Sequence, residues 1–409
     1  MQTAVIDHRK LYRLPWTLPD NAISWLEPTA MCNLACDGCY RANEKDSHKT
    51  LEEVKRELDL FQKKRTSDCI SIAGGDPLLH PQLPEIVSEI KSRGLKPIIN
   101  TNGFALDKSY LKRLKEAGVF GFTFHIDSKQ GRGGKWKGKN EIELNELRYE
   151  YAGMLAETGG IACSFNSTVY EDTLQYIPEL ISWAQKNIDI VQTMVFIAFR
   201  HVVPQMPFDW FAGGEKVNWQ NITYHSESER KVDILSTNML AIVREKFPEF
   251  TPLGYLNGTE KVDSFKWLFT ERVGTKKRIY GYPGPKFMEL VMSVYHFMNG
   301  RYLSYASPRE TGKGRAAMLL LWPFDKGLRN AAKQMLKNPL RLFKKAYLQT
   351  ILFIQPVDFS FDGRQSMCDG CPDITVWNDD LVWSCRLEEL IKFGGFLRTV
   401  PKKGIETGT

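Results

Sequence analysis

Residues 22–40, with the sequence AISWLEPTAMCNLACDGCY, place an apolar run typical of a β-strand directly before three closely spaced cysteines. The apolar run covers residues 22–31 and contains aromatic and β-branched side chains, which favour extended structure. Cys32, Cys36 and Cys39 follow in a C-x3-C-x2-C spacing. The stretch therefore predicts a metal-binding loop at the end of a strand.

Five more strand-like runs follow within the first 200 residues, and helical periodicity separates each from the next. The predicted strands are 67–73, 96–101, 120–127, 161–169 and 189–199, and the predicted helices are 50–63, 83–93, 108–117, 142–157 and 174–186. This alternation predicts parallel strands with helices outside. Six such units suit an α/β fold built as a partial (β/α)6 barrel, with its chemistry at the C-terminal strand ends.

The composition is that of an ordinary globular protein. The chain has 409 residues, 43% hydrophobic and 25% charged, with a net charge of +7. The N-terminus has no secretory signal core, and the apolar stretches near 287–298 and 347–354 are too short or interrupted to span a bilayer. We expect a cytoplasmic protein, with peripheral membrane association as the alternative. Six of the eight cysteines form two tight groups, which predicts two metal sites rather than a disulfide framework.

The first cysteine group suits an iron–sulfur cluster. Three thiolates can hold three irons of a [4Fe–4S] cluster and leave the fourth iron open for another ligand. The alternative is a structural zinc site, but zinc takes four protein ligands, and the nearest histidine, His48, lies in a polar linker. The spacing therefore favours iron–sulfur chemistry.

Residues Cys32–Tyr40 resemble the defining motif of the radical S-adenosylmethionine (SAM) superfamily. Glu27-Pro28-Thr29 precedes the loop and is similar to an acidic-x-Thr segment that members of this family often carry there. Gly74-Gly75-Asp76-Pro77-Leu78 resembles the GGEP segment of the family, with aspartate in place of glutamate. The resemblance covers roughly residues 20–205. It implies a barrel of the radical SAM type, a [4Fe–4S] cluster on the three cysteines, and SAM as a second cofactor.

The resemblance also implies that SAM is bound by groups at the strand ends. The expected cofactor-binding residues are Gly74, Gly75, Asp76, Asn102, His125, Asp127, Asn166 and Ser167. A plain turn at Asn102 and a satisfied core histidine at His125 are the alternatives. A strongly reducing partner such as flavodoxin or ferredoxin would supply the electron, and SAM cleavage would give a 5′-deoxyadenosyl radical that abstracts hydrogen from a substrate. No catalytic side chain is singled out.

The second cysteine group, Cys368, Cys371 and Cys385, has a C-x2-C-x13-C spacing. It resembles the auxiliary-cluster module of the radical SAM enzyme that rearranges GTP in molybdenum-cofactor synthesis, which implies a second [4Fe–4S] cluster in a C-terminal extension. The alternatives are structural zinc with Asp369 or Asp373 as fourth ligand, and a redox disulfide. Cys69 and Cys163 could each supply a fourth ligand, but both lie in apolar strands typical of core thiols.

The remaining chain is harder to interpret. We expect a radical SAM core over 1–205, a mixed or helical insertion over 206–354, and an auxiliary module over 355–409. Residues 287–298 are apolar on nearly all helical faces, which predicts a buried helix or, alternatively, a hydrophobic substrate wall. Residues 309–345 mix ten Lys and Arg with aliphatic and aromatic residues. This pattern fits a segment lying on a membrane surface or a solvated basic helix, whereas nucleic acid is not favoured because no recognition motif accompanies it.

Three functional hypotheses follow from these patterns. The chain could modify a lipid or isoprenoid, it could mature a peptide as other auxiliary-cluster enzymes do, or it could be a metal-stabilised binding protein without turnover. A small-molecule substrate in general also fits.

Overall fold

A long mixed β-sheet runs through the computed structural model, which describes residues 1–37, 39–227, 233–359 and 364–402. The strands of the described residues are β1 (Tyr12–Arg13), β2 (Ile23–Thr29), β3 (Cys69–Gly74), β4 (Lys96–Thr101), β5 (Gly121–His125), β6 (Ala162–Val169), β7 (Thr193–Ala198), β8 (Phe208–Ala212), β9 (Glu215–Val217), β10 (Gly254–Asn257), β11 (Phe265–Thr275), β12 (Arg278–Gly281), β13 (Tyr347–Ile354), β14 (Asp358–Phe359), β15 (Gln365–Ser366), β16 (Ile374–Trp377), β17 (Asp380–Trp383) and β18 (Arg398–Pro401).

Helices connect most of these strands. The α-helices are α1 (Leu51–Lys64), α2 (Leu83–Ser92), α3 (Lys108–Ala117), α4 (Asn145–Thr158), α5 (Ile177–Lys186), α6 (Ser236–Lys246), α7 (Pro285–Asn299), α8 (Pro308–Thr311), α9 (Gly314–Leu321), α10 (Lys326–Leu336) and α11 (Leu387–Phe393). Short 3-10 turns lie at His8–Lys10, Pro77–Leu79, Gly134–Trp136, Leu174–Tyr176, Trp219–Asn221, Pro339–Phe343 and Ser384–Arg386. None of the described helices combines the length and apolar composition needed to cross a bilayer.

The first half of the sheet has the predicted parallel order. Strands β2 to β7 are neighbours in sequence order, and each pair is parallel. Helices α1 to α5 alternate with them along the chain, so the predicted α/β fold of partial-barrel type is confirmed. We call the C-terminal ends of these strands the upper rim and their N-terminal ends the lower rim.

The sheet continues beyond the six predicted strands. β13 pairs in parallel with β7, and it is followed by β11, β10 and the two-residue β1. β11 is antiparallel to both of its neighbours β13 and β10. The apolar run 347–354 is therefore a seventh parallel strand, which the local rhythm of the first 200 residues does not reveal because its partner lies so far back in the chain.

The two faces of the sheet pack differently, as the two-residue period of a strand requires. Ile70, Phe122 and Phe165 face the helices and share a core with residues of α1, α2, α3 and α5. Ile23, Cys69 and Val195, which lie on the other face, belong to a second cluster. That inner cluster also contains Trp16, Trp267, Cys368 and Cys371, so residues from both ends of the chain fill the concave side.

Local sequence explains where the helices begin. α1 begins at a capping box in which the Thr50 side chain accepts from the Glu53 backbone N–H and the Glu53 carboxylate accepts from that of Thr50. The Asp107 carboxylate caps α3 by accepting from the Tyr110 backbone N–H, and Gly118 ends the helix in the left-handed conformation. The predicted helix 174–186 is divided into a 3-10 turn and α5, whose first turn contains Pro178.

The prediction that residues 287–298 form a buried helix is wrong for the second half of α7. Phe287, Met288 and Met292 are buried, but the Phe297 side chain is 91% exposed and Met298 is 74% exposed. The last turns of α7 lie against the lower rim through one face only, on which the Tyr295 hydroxyl donates to Asp68 over 2.8 Å. The opposite face, although apolar, is directed to solvent.

The later segments interleave in space with the first. β18 pairs with β8, which forms a small three-stranded sheet with β9. The β16–β17 hairpin contacts β2, the strand that precedes the first cysteine group. As a result, the C-terminal segment packs beside the first strand of the barrel.

Candidate active site at the cysteine loop

The first cysteine group lies at the upper rim, directly after β2. Its three cysteines line one cavity of about 800 Å³. The other walls come from Gly75 and from much later parts of the chain: Gln220, Asn221, Ile222, Thr223 and His225 before α6, and Lys392 and Phe393 in α11. Sequence spacing predicts the cysteine side of this cavity and gives no signal for the late residues that cover it.

The chemistry of the three thiols depends on their surroundings. Cys32 and Cys36 are half-buried and Cys39 is exposed. Burial raises the pKa of both Cys32 and Cys36 above the ordinary thiol value, since a thiolate loses hydration there. The Asn102 amide nitrogen lies 3.7 Å from the Cys32 sulfur. Sulfur donors in one cavity fit a group that brings its own positive charge, which an iron–sulfur cluster does.

His225 brings an imidazole ring to this cavity, and sequence analysis missed it. It lines the same cavity as the three cysteines, and its Nδ1 lies 2.7 Å from the carbonyl oxygen of Ile222. Within the described residues, however, no three His, Cys, Asp or Glu side chains converge on a single metal-ion position. The assignment of Cys32, Cys36 and Cys39 as cluster ligands therefore stays a prediction from their motif.

Gly74 and Gly75 allow β3 to approach the cysteine loop closely. Gly74 has a φ of +104°, and the Gly75 and Asp76 backbone nitrogens donate to the carbonyls of Thr29 and Met31 over 2.8 and 2.7 Å. A Cβ added at Gly75 would lie 2.2 Å from the Met31 carbonyl oxygen. Any side chain at this position would displace the start of the cysteine loop.

The Asp76 carboxylate is committed to the protein itself. It accepts hydrogen bonds from the Thr101 hydroxyl (2.8 Å), the Asn102 backbone (2.9 Å) and the Leu78 backbone (3.0 Å). The side chain is fully buried. Asp76 thus joins the upper ends of β3 and β4, and its predicted contact with a cofactor would have to come from its backbone.

His125 and Asp127 form one hydrogen-bonded group at the end of β5. His125 Nε2 lies 3.0 Å from both the Asp127 carboxylate and the Thr168 hydroxyl. Burial would raise the pKa of Asp127, but hydrogen bonds from His125 and the backbone outweigh it, so that the pKa lies below its ordinary value. Asp127 is therefore an anion buried close to the cysteine loop, where its charge acts on Cys36.

Asn166 and Ser167 lie on opposite faces of β6. Asn166 is the partner of His125 in the sheet, and its side-chain oxygen is buried without a hydrogen-bond partner among the described residues. Ser167 is directed to the helix side, where its hydroxyl lies 3.3 Å from the Glu141 carboxylate. The structure thus brings Asn166 to the predicted cofactor side with His125 and Asp127, and does not bring Ser167 there.

The second cysteine group lies beside the start of β2. Cys368 and Cys371 are buried and Cys385 is half-buried. A hydrogen bond with Cys368, together with burial, raises the pKa of Cys371. The Arg65 guanidinium donates to the Cys371 carbonyl over 2.8 Å, which fixes this turn to the barrel.

The proposed fourth ligands of that group have different surroundings. Asp369 pairs with Arg13 at 2.7 Å. Burial raises the pKa of Asp373 to about 7, and the nearby Arg65 opposes that effect. Cys69 is buried in the inner cluster with Cys368 and Cys371, whereas Cys163 belongs to the helix-facing core.

A buried ion-pair network joins the two cysteine groups. Arg41, two residues after Cys39, pairs with Glu27 at 2.9 Å and with Glu388 at 2.7 Å. Glu388 lies three residues after Cys385, and its carboxylate also accepts from the Ala42 backbone. All three side chains are nearly fully buried. Arg41 and Glu388 were missed in the sequence because their partnership spans most of the chain.

Comparison with known proteins identifies the core. The family model described as "Radical SAM superfamily" matches residues 26–184, which include the cysteine loop, β3 to β6 and most of α5. Residues 26–184 form a radical SAM domain. Their position agrees with the resemblance drawn from the cysteine motif.

Several known proteins are similar to parts of this chain. A probable GTP 3′,8-cyclase of Methanococcus maripaludis is 30% identical over 186 residues, covering 42% of this chain and 58% of that protein. The Fe-coproporphyrin III synthase of Methanosarcina barkeri is 25% identical over 225 residues, covering 54% and 52%. The chain thus spans little more than half the length of these relatives. The solved structure of Streptococcus suis SuiB bound to S-adenosylmethionine is 15% identical, with a TM-score of 0.40 over 56% of this chain and 48% of SuiB.

Proposed function

We propose that this chain is a radical SAM enzyme that holds a [4Fe–4S] cluster on Cys32, Cys36 and Cys39. When bound together, such a cluster and SAM supply a 5′-deoxyadenosyl radical, which can remove hydrogen from an unactivated carbon of a substrate. The observation that carries this proposal is the single cavity at the upper rim, which all three thiols line together with Gly75.

The surrounding residues have separable roles in this proposal. The Gly74–Gly75 turn brings the β3 end against the cysteine loop, so its backbone would face the methionine part of SAM. The unpartnered oxygen of Asn166 and the imidazole of His125 would hold polar groups of the same ligand. Lys392 and Phe393 form part of the far wall, where they would lie beside a bound ligand.

The volume of the cavity bears on the substrate. About 800 Å³ lies within the range of cofactor and ligand sites, and it accommodates SAM beside a small organic molecule or one side chain of a peptide. We therefore propose a small molecule or a peptide as the substrate class, with a lipid or isoprenoid as the alternative. The net charge of +7 complements an acidic reductant such as flavodoxin or ferredoxin.

SAM cleavage tests the proposal against a binding protein without turnover. The anaerobically reconstituted full chain, reduced with dithionite, should convert SAM to 5′-deoxyadenosine, measured by liquid chromatography and mass spectrometry. The Cys32→Ala/Cys36→Ala/Cys39→Ala variant should form none. Cys163→Ala, which removes a buried thiol outside the loop, should retain cleavage. Intact SAM with the reconstituted wild type would overturn the proposal.

We further propose that Cys368, Cys371 and Cys385 hold a second cluster. The hydrogen bond between the Cys368 and Cys371 side chains, together with the electrostatic effect of Cys385 on Cys371, supports this proposal. Iron and sulfide should fall by about four each in the Cys368→Ala/Cys371→Ala/Cys385→Ala variant. Unchanged iron, or one zinc per chain in the wild type, would remove the second cluster while leaving the first proposal intact.

A further inference from the structure

The helices below the barrel expose an unusual amount of apolar surface. Seven large apolar side chains between residues 319 and 343 are at least 42% exposed, and the most exposed are Leu320 at 72% and Phe343 at 84%. The seven are Leu319, Leu320, Trp322, Phe324, Leu336, Leu340 and Phe343. Single exposed apolar residues are ordinary, but seven within one short segment indicate an interaction surface for a protein, a membrane or a ligand. We call this set the basal surface.

The charged residues around the basal surface are almost all positive. Residues 309–345 contain ten Lys and Arg and only two acidic residues, Glu310 and Asp325. Asp325 is buried, and its carboxylate accepts from the backbone nitrogens of Gly284 and Leu328. Glu310 accepts from the backbone nitrogen of Ser307 in a capping box. The segment therefore presents positive charge beside its exposed apolar groups.

The basal surface lies at the opposite end of the barrel from the cysteine loop. Gly314, the first residue of α9, packs on the backbone of Ala346 and Tyr347, where β13 begins at the lower rim. Ala331 of α10 packs on Gly281 of β12, which pairs with the lower end of β11. The cysteine cavity is at the upper rim, so the sheet separates the two surfaces.

We propose that the basal surface binds an anionic lipid bilayer, with α9, α10 and the turn Pro339–Phe343 lying in the plane of the interface. The apolar side chains enter the acyl boundary while the lysines and arginines contact acidic headgroups. This orientation holds the cysteine cavity away from the bilayer. The surface anchors the protein and does not deliver a membrane-embedded substrate directly to the cavity.

Vesicle flotation of the full chain tests this proposal. Wild-type protein should float with phosphatidylcholine vesicles that contain phosphatidylserine, and binding should fall with phosphatidylcholine alone and at high salt. The Leu320→Ser/Phe324→Ser/Leu340→Ser/Phe343→Ser variant should bind about tenfold more weakly. The matched control is Val5→Ser/Val262→Ser, which removes exposed apolar groups elsewhere and should bind like wild type.

Three results would overturn the membrane proposal. Wild-type protein could stay in the soluble fraction with acidic vesicles, the quadruple variant could still float, or light scattering could show a wild-type dimer that the quadruple variant dissociates. The last result would assign the basal surface to a second copy of the chain. Circular dichroism checks that both variants fold. The proposal is independent of SAM cleavage, since flotation needs no cofactor.

Discussion

Glu271 is a buried acid on β11 inside the sheet. Its carboxylate accepts from the Thr350 hydroxyl over 2.7 Å, and burial raises its pKa to about 7, although Thr350 and Arg272 oppose the shift. The folded state therefore binds a proton that the unfolded state releases near pH 4.5. As the pH rises from the unfolded-state pKa of 4.5 to the folded-state pKa of about 7, the contribution of Glu271 to the free energy of unfolding falls. The total loss is on the order of 3 kcal/mol.

We expect Glu271→Gln to remove this dependence. Denaturant unfolding at pH 5 and pH 8 should show that wild type loses more stability than the variant over this interval. Glu289→Gln, which changes a more exposed carboxylate paired with Lys286, serves as the control and should follow wild type. Parallel pH profiles for wild type and Glu271→Gln would show that the carboxylate is ionised in the fold.

Individual site residues differ in how far a sequence can predict them. Cys32 and its neighbours are local, so their spacing alone indicates a metal loop. The separation of Asn166 from Ser167 follows from the alternation of a strand and could have been predicted by fixing which face of β6 is buried. His225 and Glu388 could not, because only the tertiary fold brings them to the cysteine loop.

At the scale of elements, one side chain fixes the starts of two helices. The Asp325 carboxylate accepts from the Leu328 backbone at the N-terminus of α10 and from the Phe287 backbone in the first turn of α7. Both N-termini carry unsatisfied N–H groups and a partial positive charge, so one anion stabilises both.

We expect Asp325→Ala to lower the free energy of unfolding by about 2 kcal/mol, since caps contribute about 1 kcal/mol each. Hydrogen exchange should accelerate in α7 and α10 together. Asp107→Ala, which removes a single cap from α3, is the matched control and should affect that helix alone. If hydrogen exchange becomes faster in α10 but stays unchanged in α7, Asp325 does not stabilise the N-terminus of α7.

The elements themselves were predictable where their periodicity is local. Strands β2 to β7 alternate with helices α1 to α5, and the sequence signal of each element lies within one short window. β13 gives only an apolar run, and the order of β10, β11 and β13 depends on contacts between distant segments. The apolar character of α7 predicts burial, yet its buried side chains lie in its first turns, and its last turns contact the lower rim through one face only.

At the scale of the whole molecule, Arg41 connects the cysteine loop to the C-terminal segment. Replacing it with methionine would leave Glu27 and Glu388 as buried carboxylates without their cation. Breaking such a buried network by removing one partner costs about 3–5 kcal/mol. Because the network spans both segments, the effect should be shared between them.

We expect Arg41→Met to lower the melting temperature and to increase hydrogen exchange in both the loop after β2 and α11. Arg93→Met removes an arginine that bridges the exposed Asp59 and the half-buried Glu89 carboxylates near the protein surface, and it should cost less than about 1 kcal/mol. If hydrogen exchange increases around residue 41 while α11 keeps its protection, the ion pair of Arg41 with Glu388 does not stabilise the C-terminal segment.

The parallel pairing of β7 with β13 has a consequence for biosynthesis. β7 is complete at Ala198, but its partner begins only at Tyr347, so a growing polypeptide carries an open strand edge for on the order of ten seconds of translation. An uncovered edge of apolar strands is a template for aggregation. Chaperones that shield this edge on the ribosome should therefore govern how much of the protein reaches its native state.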